Sequence, residues 1–231
     1  TDVDEPVLVD ALVWVCGHLP RFRAQDLFGA RYEHYQFLDD ELIRHLVDCL
    51  MNGRVPDGSP QVLGSARGFI IDKGGGEPRC VHSVMCVRKI AARTAVTQDR
   101  EWIGPDLAEV GQYGIGVKGG VEFVYHANRC AVLAALDDMD VLERDTLFSS
   151  STQPAALQTD FSNAFPSIEQ SKILEGIEDH QDPRVLRYAR SARLLYDSGP
   201  PVVVFVERGE CVLQLLVRNG CHQGDPFGGL H

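Results

Sequence analysis

Two strand–turn–strand patterns constrain the fold of this chain more than any other feature of its sequence. The first runs from Arg67 to Ile71, turns through Gly74-Gly75-Gly76 and returns around Arg79–Val81. The second joins Val202–Val206 to Cys211–Val217 across a glycine-containing turn. Short runs of β-branched and aromatic residues on both sides of a glycine turn are typical of β-hairpins. We therefore predict two hairpins that lie far apart in the sequence.

Apolar residues at helical spacing occupy much of the remaining sequence. From Leu42 to Leu50 they recur at i, i+1, i+4, i+5 and i+8, which predicts an amphipathic helix over residues 39–52. Further helices are predicted over residues 6–17, 84–97, 120–136, 167–179 and 183–197. The segment Ser149–Ala155, rich in Ser, Thr and Gln, predicts an internal boundary, and a short strand, Ala156–Thr159, follows it.

The composition is that of a globular protein. The chain has 231 residues, of which 44% are hydrophobic and 24% charged, so it can bury a sizeable core. No run of about 18 apolar residues occurs, which predicts no membrane span, and the acidic N-terminus lacks the pattern of a signal peptide. The net charge of −11 argues against binding nucleic acid through bulk positive charge but is compatible with a local basic groove.

The cysteines predict neither a disulfide framework nor a zinc site. They are seven in number and contain no Cys-x-x-Cys pair, a pattern that favours a reducing compartment. Zinc requires clustered ligands, and no second pair at finger spacing follows any of the close Cys/His pairs. These pairs are Cys16/His18, Cys80/His82 and Cys221/His222.

A glycine-rich segment matches the dinucleotide-binding fingerprint. Gly114–Gly119 has the spacing G-x-G-x-x-G, and Asp137 and Asp138 follow where a ribose-binding acid would stand. A dinucleotide-binding oxidoreductase is therefore one interpretation. The fingerprint requires a buried strand immediately before the glycines, however, and residues 101–113 contain Pro105 and scattered acids instead. A loop that enters a helix is the favoured interpretation.

Two polar segments have a more specific chemistry. Asp160 follows the predicted strand 156–159, and a carboxylate at a strand end is suited to hold Mg²⁺ together with substrate phosphates. It would equally cap the next turn, with Phe161 and Phe165 in the core. In Gln223-Gly224-Asp225-Pro226, Gly224 would allow a ligand close to the backbone, whereas Asp225 would serve as a helix N-cap.

In their order and separation, these two segments resemble motifs A and B in the palm of a reverse transcriptase of the non-LTR retrotransposon type. Other segments are similar to elements of the same family: Leu19-Pro20-Arg21 with Arg31-Tyr32-Glu33-His34 near the start of the domain, Lys73–Arg79 in the fingers hairpin, Val87–Arg93 in the helix after it, and the loop Gln112–Gly120. The resemblance covers about residues 19–231. The last of these segments accounts for the match to the dinucleotide fingerprint.

The chain departs from the family pattern in two places. Ala24–Gly29 stands where a Pro-Gly-Pro-Ser-Gly stretch usually precedes the Tyr-Glu-His element. Cys80-Val81 replaces the Pro-Ile that usually follows the arginine of the fingers hairpin. The spacing between Lys73 and Arg79 is that of the family.

The resemblance implies an α+β fold, specifically the right-hand polymerase fold with fingers and an incomplete palm. Residues 1–150 would form an N-terminal extension and the fingers, and residues 151–231 the part of the palm from motif A to the start of the motif B helix. The implied activity is RNA-directed DNA polymerisation, with an RNA template, a DNA primer, dNTPs and two Mg²⁺ ions. A nuclear location is implied by the family alone.

The resemblance also implies roles for individual residues. Asp160 would be the catalytic, metal-bridging carboxylate, and the backbone carbonyl of Phe161 a further metal ligand. Phe165 would lie against the sugar 2′ position and favour deoxynucleotides. Lys73 and Arg79 would bind the triphosphate; otherwise they belong to a solvated hairpin tip. Two further residues would pack near the incoming nucleotide and the template, namely Gln223 and Gly224.

The sequence contains no Tyr-x-Asp-Asp hairpin after motif B and no thumb. In this family that hairpin carries the carboxylates that hold the same metals as Asp160. We therefore expect the 231-residue chain to bind metal poorly and not to polymerise by itself. The alternative is a non-catalytic, polymerase-like scaffold that binds RNA or protein.

Overall fold

The computed structural model of the chain describes residues 8–72, 74, 78–114, 116–137, 167–208 and 210–221. These residues form helices and one small mixed sheet, an α+β arrangement. They belong to two compact units: unit 1 comprises Thr1–Asp99 and Asn163–His231, and unit 2 comprises Arg100–Ser162. The predicted boundary at residue 150 and the predicted strand 156–159 lie outside the described residues, so both stay predictions.

Unit 1 contains most of the regular structure. Its N-terminal part has α1 (Val9–Gly17), α2 (Tyr32–Tyr35), α3 (Asp40–Met51), α4 (Ser59–Gly64), β1 (Ala66–Asp72), β2 (Pro78–Val84) and α5 (Cys86–Gln98). Unit 2 has α6 (Arg100–Glu109) and α7 (Gly120–Asp137). The C-terminal part of unit 1 has α8 (Gln170–Glu178), α9 (Pro183–Leu186), α10 (Ala189–Tyr196), β3 (Val202–Glu207) and β4 (Glu210–Leu216). None of the described helices is both long and apolar enough to cross a membrane.

Local sequence signals account for the elements that were predicted. At α3, the Asp39 carboxylate accepts hydrogen bonds from the backbone N–H groups of Glu41 and Leu42, and the apolar stripe buries Ile43 and Val47. Both hairpins, α5 and α7 also lie at their predicted positions. These predictions are confirmed.

One helix prediction was wrong. The structure divides the predicted helix 183–197 into α9 and α10 at Arg187 and Tyr188. At this break both side chains contact the carboxylate of Asp99, which belongs to a distant part of the chain. The short helices α2, α4 and α6 were not predicted; prolines at the start of α4 and inside α6 concealed the helical pattern.

The sheet joins the two hairpins in the strand order β2-β1-β3-β4. Both hairpins are antiparallel, and β1 pairs with β3 in parallel, with Ala66 opposite Val203 and Gly68 opposite Phe205. On the face that these residues share, Ala66, Val84, Val203 and Phe205 form a buried cluster. The chain between the hairpins supplies the crossover that a parallel pair requires.

Gly68 allows the two hairpins to approach. A Cβ atom at this position would lie 2.6 Å from two ring carbons of Phe205 and 2.8 Å from Cγ1 of Val203. Val203 and Phe205 are themselves 1% and 8% exposed, so the pairing of β1 with β3 leaves them little room to move.

We expect Gly68→Ala to lower the free energy of unfolding by about 2 kcal/mol, because the new methyl group has to displace packed core atoms. Urea denaturation monitored by circular dichroism measures the change. Gly176→Ala in α8 is the matched control, since a Cβ there meets nothing within 4 Å. Helix propensity predicts that the control is neutral or stabilised by up to about 1 kcal/mol. Equal effects of the two substitutions would contradict the packing constraint.

Candidate functional site

Most of the predicted site residues lie outside the described residues. This applies to Lys73, Asp160, Phe161, Phe165, Gln223 and Gly224. The backbone of Arg79 is described and lies in β2, opposite Ile71. The predicted site therefore stays a prediction, and what the structure describes is the surroundings of the two strands that flank Lys73, β1 and β2.

The turn of this hairpin begins with a side-chain hydrogen bond. Asp72, the last residue of β1, accepts a hydrogen bond from the backbone N–H of Gly74 at 2.8 Å. Gly74 has a φ of 81°, a left-handed conformation that glycine adopts without strain. The Asp-x-Gly spacing thus determines where β1 ends.

Two cations lie along one side of the hairpin, and a third follows on the adjacent helix α5. Lys89 in α5 donates a hydrogen bond from Nζ to Oγ of Ser83, at 3.2 Å, and Ser83 stands opposite Arg67 in the strand register. The guanidinium of Arg67 lies 5.3 Å from the ring centroid of Phe69. Arg93 follows Lys89 by one turn of α5. We refer to Arg67, Lys89 and Arg93 as the basic hairpin face.

Tyr32 holds two of these cations in place. Lys89 Nζ lies 5.9 Å and the Arg93 guanidinium 5.8 Å from the centroid of its ring, distances at which a cation is attracted to the aromatic face. Tyr32 is 5% exposed, and burial raises the pKa of its hydroxyl to about 12 despite the opposing effect of Arg93. The ring is therefore neutral throughout the physiological range.

The buried carboxylate of Asp26 fixes the loop before α2 to the start of α5. Oδ1 accepts hydrogen bonds from the backbone N–H groups of Phe28 and Ala30, at 3.0 and 2.9 Å, and Oδ2 accepts one from Cys86 at 3.0 Å. Asp26 is 0% exposed. Burial, together with this negative charge, raises the pKa of the Cys86 thiol to about 12, and the thiol donates to the carbonyl of Ala30.

Sequence reasoning missed Asp26, although it lies in the segment that departs from the family pattern. Its spacing to Gly29 indicates a turn, and the structure has one, with a hydrogen bond from the N–H of Gly29 to the carbonyl of Asp26. No local signal points to the distant partner Cys86.

We expect Asp26→Ala to lower the free energy of unfolding by about 3 kcal/mol or more, because it leaves one buried and two partly buried N–H donors without their acceptor. Asp39→Ala, which removes an exposed helix cap, is the matched control and should cost about 1 kcal/mol. Urea denaturation compares the two. A cost for Asp26→Ala no greater than that of the control would show that Asp26 does not anchor the loop.

Cys80 and His82 form a hydrogen-bonded pair on β2. The distance from Sγ to Nε2 is 3.2 Å. Burial raises the pKa of the Cys80 thiol and lowers the pKa of the His82 imidazole, so both groups favour their neutral forms at pH 7. The pair is thus a thiol beside a neutral imidazole, whereas a reactive cysteine requires a thiolate.

The lowered pKa of His82 predicts a dependence of stability on pH. A histidine whose pKa is lower in the folded state than in the unfolded state binds protons more readily when unfolded, so stability is full above the unfolded pKa of about 6.5 and falls as the pH drops towards the folded pKa. We expect His82→Gln to reduce this loss. Urea titrations of both proteins between about pH 8 and about pH 5 provide the comparison. Identical pH profiles would contradict the assignment.

A second buried carboxylate lies at the other end of α5. Asp99, 4% exposed, forms an ion pair with Arg187 and accepts a hydrogen bond from the hydroxyl of Tyr188. This cluster ties the end of α5 to the break between α9 and α10.

The loop that matches the dinucleotide fingerprint lies in unit 2, and the helix α6 precedes it. A Cβ on Gly104 would lie 2.7 Å from the carbonyl oxygen of Gly116, and one on Gly120 would lie 1.9 Å from that of Tyr113. Close backbone packing accounts for these glycines. Because a helix stands where the fingerprint requires a strand, the loop lacks the context for dinucleotide binding.

The described residues offer no metal cluster. No group of three or more His, Cys, Asp or Glu residues among them could hold a metal ion. A cavity of about 310 Å³ lies between α1 and α3, and an open cleft of about 520 Å³ borders α4 and α10. Neither is lined by a residue of β1 or β2.

No protein-family model and no curated protein matches this sequence. The relation to reverse transcriptases therefore depends on the motifs alone and is a proposal.

Proposed function

We propose that this chain forms the fingers and part of the palm of an RNA-directed DNA polymerase of the non-LTR retrotransposon type. The proposal is carried by one observation, which is the ordered series of segments that resembles this family from Leu19-Pro20-Arg21 to Gln223-Gly224. Each segment by itself has a simpler explanation. Their common order and spacing is difficult to obtain by chance.

The arrangement of three of these segments supports the proposal. The strands on either side of residues 73–77, β1 and β2, pair as an antiparallel hairpin, and α5 follows that hairpin after a single residue, Met85. Tyr32, from the Tyr-Glu-His segment, contacts Lys89 and Arg93 of that helix. Segments that the family resemblance groups together are thus adjacent within unit 1.

The proposed chemistry is phosphoryl transfer, in which positioning and charge neutralisation dominate. Lys73 and Arg79 bind the triphosphate, and the arginine fork suits two phosphate oxygens at once. Asp160 and the backbone carbonyl of Phe161 would hold Mg²⁺, which would neutralise charge on the reacting phosphates. Phe165 excludes a ribose 2′-hydroxyl.

We expect Lys73→Ala and Arg79→Ala each to weaken binding of a fluorescent dNTP about tenfold, since each removes a charge-assisted hydrogen bond. Fluorescence anisotropy in the presence of Mg²⁺ measures the affinity. The matched controls are Lys118→Ala and Arg100→Ala, which remove the same charges from exposed positions of unit 2. If the control variants lose as much dNTP affinity as Lys73→Ala and Arg79→Ala, the assignment of the triphosphate site is wrong.

A non-catalytic scaffold is the second candidate, and the net charge of −11 favours it because a polymerase binds polyanions. Asp160→Ala in the full gene product distinguishes the two. A polymerase loses Mg²⁺-dependent incorporation of dNTPs, whereas a scaffold retains its binding to RNA or protein. We expect the 231-residue chain to incorporate no dNTP, and incorporation by it would show that the missing motif is dispensable.

A further inference from the structure

The chain contains two Asn-Gly dipeptides, Asn52-Gly53 and Asn219-Gly220. In such a dipeptide the backbone nitrogen of the glycine attacks Cγ of the asparagine, because no side chain on the glycine hinders the approach. A bond forms between this nitrogen and Cγ, the Cγ–Nδ2 bond breaks, and ammonia leaves with the proton of the glycine nitrogen. Water then opens the resulting succinimide to aspartate or isoaspartate. Both dipeptides can therefore deamidate spontaneously, and the surrounding structure determines how fast.

Asn52-Gly53 ends helix α3, and this helix end requires glycine for two reasons. Gly53 has a φ of 66°, the left-handed conformation that commonly ends a helix, and the N–H of Arg54 then donates to the carbonyl of Cys49 at 2.8 Å. A Cβ on Gly53 would also lie 3.2 Å from the carbonyl oxygen of Arg190 in α10. The reactive dipeptide is thus part of the contact between α3 and α10.

The same helix end holds Asn52 in a geometry that opposes the reaction. Asn52 is 6% exposed, and its Nδ2 donates hydrogen bonds to the backbone carbonyl and to Oδ1 of Asp48, both at 3.1 Å. A ψ of 7° holds the nitrogen of Gly53 nearly eclipsed with the backbone nitrogen of Asn52, and therefore away from the Asn52 side chain. The N–H of Gly53 donates to the carbonyl of Leu50 at 3.4 Å. Closure of the succinimide ring thus requires a backbone rotation and the loss of these hydrogen bonds.

We propose that Asn52 is a latent deamidation site, which reacts only when the C-terminal end of α3 opens locally. Proteins open locally at a lower cost in free energy than they unfold as a whole. Asn52 and Gly53 line the open cleft of about 520 Å³ that borders α4 and α10, so water, the only co-reactant, is adjacent to the dipeptide.

Deamidation would favour the opened state. The amide of Asn52 donates to Asp48, whereas the carboxylate that replaces it can only accept. Two carboxylates would then lie side by side at the C-terminal end of α3, where the helix dipole disfavours negative charge. We therefore expect the modified chain to lose part of the contact between α3 and α10, irreversibly.

The first test compares reaction rates in the folded and the unfolded chain. The protein is incubated at mildly alkaline pH with and without urea, and peptide mapping by mass spectrometry, with chromatographic separation of the aspartate and isoaspartate forms, follows both dipeptides. In urea, Asn52 and Asn219 should react at similar rates, because each precedes a glycine. Without urea we expect Asn52 to react at least about tenfold more slowly than in urea, in proportion to the population of the open end. Equal rates at Asn52 in the two conditions would overturn the proposal.

Asp48→Ala tests whether local opening is the route. It removes one of the two acceptors of the Asn52 amide, so the rate at Asn52 in the folded chain should rise about tenfold, whereas the rate in urea should not change. The matched control is Asp39→Ala, which removes the cap at the other end of the same helix and should leave the rate at Asn52 unchanged. Circular dichroism verifies that both variants are folded.

Equal acceleration by the two variants would show that global unfolding governs the reaction, and it would overturn local opening. An Asn52 that stays unmodified in folded Asp48→Ala, after the unfolded chain has reacted completely, would overturn it as well.

Asn52→Asp tests the consequence, because it installs the aspartate form of the product. We expect it to shift the unfolding equilibrium in urea about tenfold towards the unfolded state at neutral pH. Asn219→Asp makes the same change of charge at an exposed residue and should shift the equilibrium by no more than about twofold. Equal shifts would contradict the repulsion at the end of α3. None of these residues belongs to the proposed triphosphate site, so the two proposals can fail separately.

Discussion

The parallel pairing of β1 with β3 is the constraint on which the rest of unit 1 depends. Each hairpin by itself would be a two-stranded unit of marginal stability, and the pairing turns two of them into one sheet. It closes a long segment of chain, which has an entropic cost, and the buried cluster of Ala66, Val84, Val203 and Phe205 supplies the compensating burial. Because the ring of Phe205 lies over Gly68, a side chain at that position has to displace packed core atoms.

The two ends of α5 are held by two buried carboxylates in opposite electrostatic settings. Asp26 lies at the N-terminus of the helix, where the helix dipole favours a negative charge and the N–H of Cys86 binds it. Asp99 follows the C-terminus, where the dipole disfavours it, and Arg187 and Tyr188 compensate. With both ends fixed, α5 presents Lys89 and Arg93 to Tyr32 in one orientation, so the basic hairpin face is built by contacts remote from it.

The sequence predicts the elements whose cause is local and misses those whose cause is distant. The apolar stripe and the cap of α3 lie within one short segment, and so do the turn residues of both hairpins. The break between α9 and α10 depends on Asp99, 89 residues before Tyr188, and the role of Asp26 depends on Cys86, 60 residues after it. Patterns of period 2 or 3.6 carry no information about such contacts. The candidate site shares this limit: the strand that carries Arg79 was predicted, but not the helix face that packs beside it.

The acidity of the chain and the proposed triphosphate site are compatible, because they act over different distances. At physiological ionic strength a charge is screened over about 8 Å, so a triphosphate bound as proposed by Lys73 and Arg79 interacts with charges close to the tip of the hairpin rather than with the net charge of −11. A long template interacts with much more of the surface, and there the net charge opposes binding. A polymerase that contains this chain would therefore bind its nucleotide through local contacts. Tight binding of the template would require a basic surface in addition to these residues.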